Sequence, residues 1–186
     1  MPSPTGSSDK APPTRGRAPR RLHPPTPRSF VINVNVRDVM SRHPVTVGPD
    51  ATLLDALVLM RGQKVSGLPV VDEVGKLVGV LSQRDVARTL KSASGIPEVT
   101  GLFDLLMFGL SEETGVSVQV LLRILEETNV RDAMSSPPIS IVPEASLELA
   151  AEMMRENEIN RIPVVQGERL IGIVTRNDLV RALVHA

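Results

Sequence analysis

Cysteine, tryptophan and tyrosine are absent from this chain of 186 residues, and phenylalanine occurs three times. Without cysteine there can be no disulfide bond, thiolate zinc site or cysteine nucleophile. With aromatic residues at only 2% of the sequence, a platform of stacked rings for single-stranded nucleic acid is not expected. The core must therefore be built from aliphatic side chains, methionine and alanine. The lack of cysteine suits the reducing cytoplasm, which is the location we predict.

An excess of one charge is also missing, since 21 basic residues balance 21 acidic ones. Residues 1–29 nevertheless carry six basic residues and one acidic residue, are crowded with Pro, Ser and Thr, and contain no apolar run. Such a segment cannot bury enough apolar surface to fold, so we predict a disordered basic leader. A targeting role or contact with nucleic acid or a membrane is the alternative for this leader. The three scattered histidines indicate no metal site.

An internal repeat covers most of the remaining chain. The offset between the copies is 94 residues at first (130 minus 36) and 93 at the end (172 minus 79), so a single deletion near residues 72–75 explains the change. The matching segments are Val36–Met40 with Val130–Met134, Pro44–Val47 with Pro138–Ile141, Leu68–Val71 with Ile162–Val165, and Gly79–Asp85 with Gly172–Asp178.

Each copy predicts the element order β-α-β-β-α. The predicted elements are first strands at 45–47 and 139–142, helices at 53–61 and 147–156 after the capping candidates Asp50 or Thr52 and Glu144 or Ser146, hairpins of 69–71 with 77–81 and of 163–165 with 170–174, and closing helices at 85–90 and 178–184. This order predicts a mixed α/β (α+β) fold in which helices cover one face of a small three-stranded sheet. One unit of about 55 residues has little core of its own. We therefore expect the two copies to pack sheet to sheet as a pseudo-twofold pair.

The repeat resembles the tandem CBS (cystathionine-β-synthase) domain pair of stand-alone proteins. The resemblance is carried by the V-R-D-x-M opening, the helix, the L/I-P-V-V strand and a closing G-h-h-S/T-x-x-D (h, apolar), all present twice and in order. It implies a first CBS domain at residues 30–90 and a second at 130–186. Residues 91–129 then form an apolar helical insert, which packs either on its own CBS body, in a homodimer or against a client protein.

Two polar corners stand where a predicted strand ends and a helix begins. Ser82 and Asp85 form one corner, and Thr175 and Asp178 form the other. An ionised carboxylate only accepts hydrogen bonds, so it suits the paired hydroxyls of a ribose. Capping of the helix is the structural alternative, and both roles can coexist. The resemblance implies that these four residues contact ribose and phosphate.

The resemblance also assigns candidates for the other parts of a nucleotide. Adenine is expected near the first strands and just before the second strands, although ordinary core packing is the alternative for the aliphatic residues. Guanidinium groups suit phosphate, although each arginine is as well explained as a solvated surface residue. The candidates are Thr46, Val47, Val65, Ser140, Ile141 and Ile159 for adenine, and Arg84, Arg161 and Arg176 for phosphate. Because Gly67 stands where the second copy has Arg161, we expect the two sites to differ.

These observations predict a regulatory module that binds an adenine nucleotide (AMP, ADP or ATP) between the CBS domains and transmits the signal to an unknown client protein. We expect a homodimer without a prosthetic group, a membrane span or a nucleic-acid partner. No nucleophile–base pair, metal-ligand spacing or phosphate-cradling glycine loop is present, so we do not expect an enzyme. The alternative is a structural dimerisation or scaffold module without bound nucleotide.

Overall fold

Two β-hairpins flanked by helices form the body of the protein. The computed structural model describes residues 34–94 and 118–184. The helices are α1 (Val36–Val39), α2 (Leu53–Gly62), α3 (Gln83–Ser94), α4 (Val118–Glu127), α5 (Val130–Ala133), α6 (Leu147–Glu156) and α7 (Arg176–Val184). The strands are β1 (Ser41–Arg42), β2 (Gly67–Val71), β3 (Leu77–Ser82), β4 (Arg161–Gln166) and β5 (Arg169–Thr175). The predicted leader at 1–29 and residues 95–117 of the predicted insert lie outside the described residues.

The two hairpins are equivalent antiparallel pairs, β2 with β3 and β4 with β5. The predicted first strands are reduced to single paired residues, because Val47 bridges Val70 and Ile141 bridges Val164, both in parallel. The mixed α/β fold is thus confirmed, with shorter first strands than predicted. Among the helices of residues 34–94 and 118–184, none has the length and apolar character that crossing a membrane requires.

Helices α2 and α6 are capped by the second of the two predicted candidates in each copy, Thr52 and Ser146. The Thr52 hydroxyl accepts a hydrogen bond from the Asp55 N–H at 3.1 Å, and the Asp55 carboxylate accepts one from the Thr52 N–H at 3.3 Å. The Ser146 hydroxyl accepts a hydrogen bond from the Leu149 N–H at 3.2 Å. These bonds satisfy N–H groups that have no partner within the first helical turn.

The opening helices are exchanged between the repeats. Val36 of α1 is fully buried in the core of the second repeat, and Val130 of α5 is fully buried in the core of the first. The N–H of Val36 donates to Ala145 O at 2.8 Å, and the N–H of Val130 donates to Ala51 O at 2.8 Å. Each core therefore contains a side chain from the other copy.

The residues that follow the opening helices extend this exchange. Strand β1 pairs with β5 of the second repeat, and Ser135 bridges Val80 of the first. Met40 packs against Gly172 and Met134 against Gly79, at positions where an added Cβ atom would collide with the methionine side chain. The segment after the opening helix of each copy thus pairs with the second strand of the hairpin in the opposite repeat.

Helix α4 lies within the predicted insert and packs on the chain's own body. Leu121 and Leu125 are buried in the first core, against α2 and α3, whereas Val120 is half exposed. Of the alternatives for the insert, the structure therefore supports packing on the chain's own body for this helix. The domain boundaries that we infer from the sequence stay predictions.

Candidate functional site

Two clefts lie where the strand–helix corner of one repeat faces loops and strand starts of the other. Cleft 1, of about 460 Å³, lies between the β3–α3 corner at 82–85 and residues 135–139 and 157–161. Cleft 2, of about 520 Å³, lies between the β5–α7 corner at 175–177 and residues 41–45 and 63–67. These segments are related by the repeat offset, so the clefts are equivalent positions of the pair. Each volume is within the range of small-molecule sites.

The corner of cleft 1 holds a buried carboxylate. Oδ2 of Asp85 accepts hydrogen bonds from the N–H of Ser82 at 2.8 Å and from its hydroxyl at 2.5 Å. Oδ1 forms an ion pair with Arg88 and accepts a long hydrogen bond from the Ser135 hydroxyl at 3.4 Å. The carboxylate caps α3 through one oxygen and presents the other to a mostly exposed arginine.

The corner of cleft 2 repeats this arrangement. Oδ2 of Asp178 accepts hydrogen bonds from the N–H of Thr175 at 2.8 Å and from its hydroxyl at 2.6 Å. Oδ1 forms an ion pair with Arg181. Thr175 lines the cleft, whereas Asp178 is 4% exposed and lies behind it. The polar groups that this corner offers to a ligand are therefore the Thr175 hydroxyl and the side chains of Arg176 and Asn177.

Arg161 lines both clefts. It lies at the start of β4, and its guanidinium donates a hydrogen bond to the hydroxyl of Ser66 at 2.5 Å. Burial lowers the pKa of Arg161 below its ordinary value, and the negative charge of Asp85 acts in the opposite direction. A guanidinium stays charged despite such a shift, so Arg161 is a partly desolvated cation between the clefts.

Aliphatic side chains form the apolar wall of each cleft. Ile139 and Ile159 line cleft 1, and Val45 and Val65 line cleft 2. Ile139 is 37% exposed and Val65 is 38% exposed. Apolar surface inside a concave site, next to a few polar groups, suits a planar ring.

The structure brings most, but not all, of the predicted site residues to the clefts. Cleft 1 receives Ser82, Arg84, Asp85 and Ile159, cleft 2 receives Val65, Thr175 and Arg176, and Arg161 belongs to both. Five predicted residues line neither cleft: Thr46, Val47, Ser140, Ile141 and Asp178.

The side chains of Val47 and Ile141 lie in the two hydrophobic cores, with 8% and 5% of their surface exposed. Their backbone N–H groups donate to Pro69 O and Pro163 O. The structural alternative of core packing therefore describes these two positions. Val45 and Ile139, two residues earlier in each copy, line the clefts, and Val45 also packs against the edge of the first core.

Sequence reasoning missed several lining residues. Arg88 had a signal, because a D-h-h-R pattern begins at Asp85 and recurs from Asp178 to Arg181. Ser41 and Ser135 had none, because they reach the clefts through the exchange of the opening segments.

Comparisons with known proteins agree with this architecture. The family model of the CBS domain matches residues 36–92 and 130–185. An uncharacterised protein of Methanocaldococcus jannaschii is 35% identical, with 82% of this chain and 96% of that protein covered. CBSX1, a chloroplastic CBS domain-containing protein of Arabidopsis thaliana, is 34% identical over 84% of this chain and 66% of its own length. The crystal structure of CBSX2 in complex with AMP is 34% identical, covers 81% of this chain and 97% of that chain, and superposes with a TM-score of 0.61.

Proposed function

Because this chain belongs to the CBS domain family, we propose that it is a regulatory module that binds an adenosine-containing nucleotide in clefts 1 and 2. The observation that carries the proposal is the composition of the clefts. Each combines an apolar wall from one repeat with a hydroxyl-bearing helix start from the other and with the guanidinium of Arg161. The AMP complex of the relative CBSX2 supports adenosine as the ligand class.

In cleft 1 each part of AMP has a suitable neighbour. The adenine ring would lie against Ile139 and Ile159, and the phosphate would accept hydrogen bonds from Arg84 and Arg161. The ribose hydroxyls would donate to Oδ1 of Asp85, since Oδ2 already accepts two hydrogen bonds. Ribose binding would therefore displace the side chain of Arg88 from that oxygen.

In cleft 2 the same parts are supplied by different residues. Val45 and Val65 would contact adenine, Thr175 would contact ribose, and Arg176 and Arg161 would contact the phosphate. Asp178 accepts a hydrogen bond from the Thr175 hydroxyl and would orient it, and ligand contacts of Thr46 and Ser140 stay predictions.

The position of the clefts between the repeats explains how ligand binding could affect a partner protein. A ligand shifts a conformational equilibrium only if its affinity differs between the two states. Since the walls of each cleft come from both repeats, a nucleotide favours the disposition of the repeats that closes on it. A client protein that contacts both repeats would sense this change. The role is regulatory rather than catalytic.

A dimerisation or scaffold role is the second candidate. Leu149 on α6 and Val180 and Leu183 on α7 are 45%, 54% and 61% exposed. Several exposed aliphatic side chains on neighbouring helices favour a protein–protein contact, and the homodimer stays a prediction. The cytoplasmic location also stays a prediction, because the relative CBSX1 is chloroplastic.

Thermal shift of the full chain with AMP, ADP, ATP with magnesium, and adenosine tests the proposal. A ligand at 100 times its dissociation constant adds about 2.7 kcal/mol to the free energy of unfolding, which raises Tm by several degrees in a protein of this size. We expect a shift with at least one of these ligands, and a smaller one in Ile139→Glu, which places a negative charge in cleft 1. Val74→Glu is the control, since Val74 is 83% exposed and lines neither cleft. A chain whose Tm responds to none of them would support the scaffold role.

A further inference from the structure

Clefts 1 and 2 meet at a short common wall. Among their lining residues, Ser66, Asn160 and Arg161 are shared. Of these three, Arg161 carries the charge. A phosphate in either cleft therefore has the same guanidinium within the wall of its site.

The fold leaves no room for a second arginine at the equivalent position. That position is Gly67, and a Cβ atom there would lie 2.5 Å from Nη1 of Arg161 and 2.7 Å from the carbonyl oxygen of Leu81. Both distances are too short for real non-bonded contacts, and the Leu81 carbonyl belongs to the hairpin backbone. The guanidinium of Arg161 thus occupies the space that a side chain at position 67 would need.

The surroundings of Arg161 strengthen its interaction with an anion. The guanidinium is partly desolvated, which also lowers its pKa, and it donates to the hydroxyl of Ser66 at 2.5 Å. Electrostatic attraction is stronger in such a site than in water. The remaining N–H groups of the fork are suited to a phosphate.

We infer that the two clefts compete for Arg161, so that a phosphate-bearing ligand in one cleft lowers the affinity of the other cleft for a second such ligand. The inference rests on the proposed function. One positive charge cannot neutralise two phosphates. The second anion meets a guanidinium that is already paired and, close by, the first anion. An uncharged ligand with the same base and sugar makes no demand on Arg161, so adenosine binds without this coupling.

The coupling is measured by blocking one cleft at a time. Ile139 and Val45 are equivalent lining residues of clefts 1 and 2, so Ile139→Trp fills one cleft and Val45→Trp fills the other without adding charge. Isothermal titration of the full chain then gives the AMP association constant of each single cleft. We expect the product of these two constants to exceed the overall constant for two AMP molecules on the unmodified protein by about tenfold or more, which is the effect of one charged hydrogen bond.

Adenosine and Arg161→Ala are the controls. For adenosine, the product of the single-cleft constants should equal the overall constant. With Arg161→Ala added to each variant and to the unmodified chain, the AMP product should come much closer to the overall constant, because competition for Arg161 is removed and only the repulsion between the two phosphates is left. Two results would overturn the inference and leave the proposed function intact. With Arg161 present, the product of the single-cleft AMP constants could equal the overall constant for two AMP molecules, or it could be smaller than that constant. If none of AMP, ADP, ATP with magnesium and adenosine binds, the proposed function falls and this inference falls with it.

A second measurement does not depend on the tryptophan variants. In the otherwise unmodified chain, Arg161→Ala should weaken the first AMP step by about tenfold or more and the second step by much less, because the second AMP binds after Arg161 is engaged. Arg84→Ala is the matched control, since Arg84 lines cleft 1 alone. An equal loss at both steps in Arg161→Ala would contradict competition for this residue.

Discussion

In the carboxylates of Asp85 and Asp178, the two oxygen atoms have different roles. In each, Oδ2 accepts hydrogen bonds from the residue three positions earlier and so caps the start of the helix that contains the aspartate, and Oδ1 pairs with the arginine three positions later. The carboxylates are buried, whereas the side chains of Arg88 and Arg181 are 65% and 71% exposed. The cap is therefore a structural bond, and the ion pair is an exposed contact that a ligand can replace.

Variants of the second corner test this division. Asp178→Ala removes the cap and leaves the Thr175 N–H without its partner, which should lower the free energy of unfolding by about 2 kcal/mol. Arg181→Ala removes only the exposed partner and should cost about 1 kcal/mol or less. Urea unfolding followed by circular dichroism measures both. An Arg181→Ala variant as unstable as Asp178→Ala would show that the ion pair holds the corner.

The opening helices are the elements that connect the repeats. α1 contributes Val36 to the second core, and Arg37 pairs with Glu144 just before α6. α5 contributes Val130 to the first core, and Arg131 pairs with Asp50 just before α2. The V-R-D-x-M sequence thus joins the two repeats, because its valine is the anchor buried in the opposite core and its arginine forms an ion pair at the surface of the opposite repeat.

Truncation of either anchor should destabilise the protein to a similar extent. Val36→Ala and Val130→Ala each leave a cavity in a core formed mainly by the other repeat, and we expect a loss of about 2 kcal/mol in the free energy of unfolding. Val74→Ala, the same change at an exposed turn, should alter it by about 0.5 kcal/mol or less. Chemical unfolding of the three variants decides this. A negligible effect at Val36 or Val130 would mean that the exchanged helix contributes no packing energy.

At the scale of the whole molecule, the exchange joins two cores that are otherwise separate. The hairpin turns are linked as well, because the N–H of Leu77 donates to Glu168 O at 3.1 Å and Lys76 pairs with Glu168 at 2.6 Å. The carboxylate of Glu168 raises the pKa of Lys76. Neither repeat can lose its packing without exposing the anchor of the other, so the pair is one structural unit.

Unfolding of the full chain should accordingly be a single cooperative transition. Differential scanning calorimetry should give one peak whose van't Hoff and calorimetric enthalpies agree. Val36→Ala, which directly touches only the second core, should move the entire peak to lower temperature. Two resolved peaks, with only one displaced by Val36→Ala, would show that the repeats unfold independently.

Local features of this protein can be predicted from the order of its residues. The repeat is visible when the two copies are compared, and each hairpin pairs residues at most 15 positions apart. The caps at Thr52 and Ser146 and the corners at Ser82 and Thr175 depend on residues three positions apart. Propensity, periodicity and capping act over that range, so a single sequence reveals them. The family resemblance then supplied Val65, Ile159 and Arg161 as candidate ligand contacts.

The remaining features arise from contacts between residues far apart in the chain. Arg37 and Glu144 are separated by 107 positions, and Ser66 and Arg161 by 95. No local pattern shows that α1 belongs to the second core, that Val47 points into the first core while Val45 lines a cleft, or that Arg161 serves both clefts. These facts depend on which surfaces meet when both repeats pack, and packing brings together side chains that the chain order keeps apart.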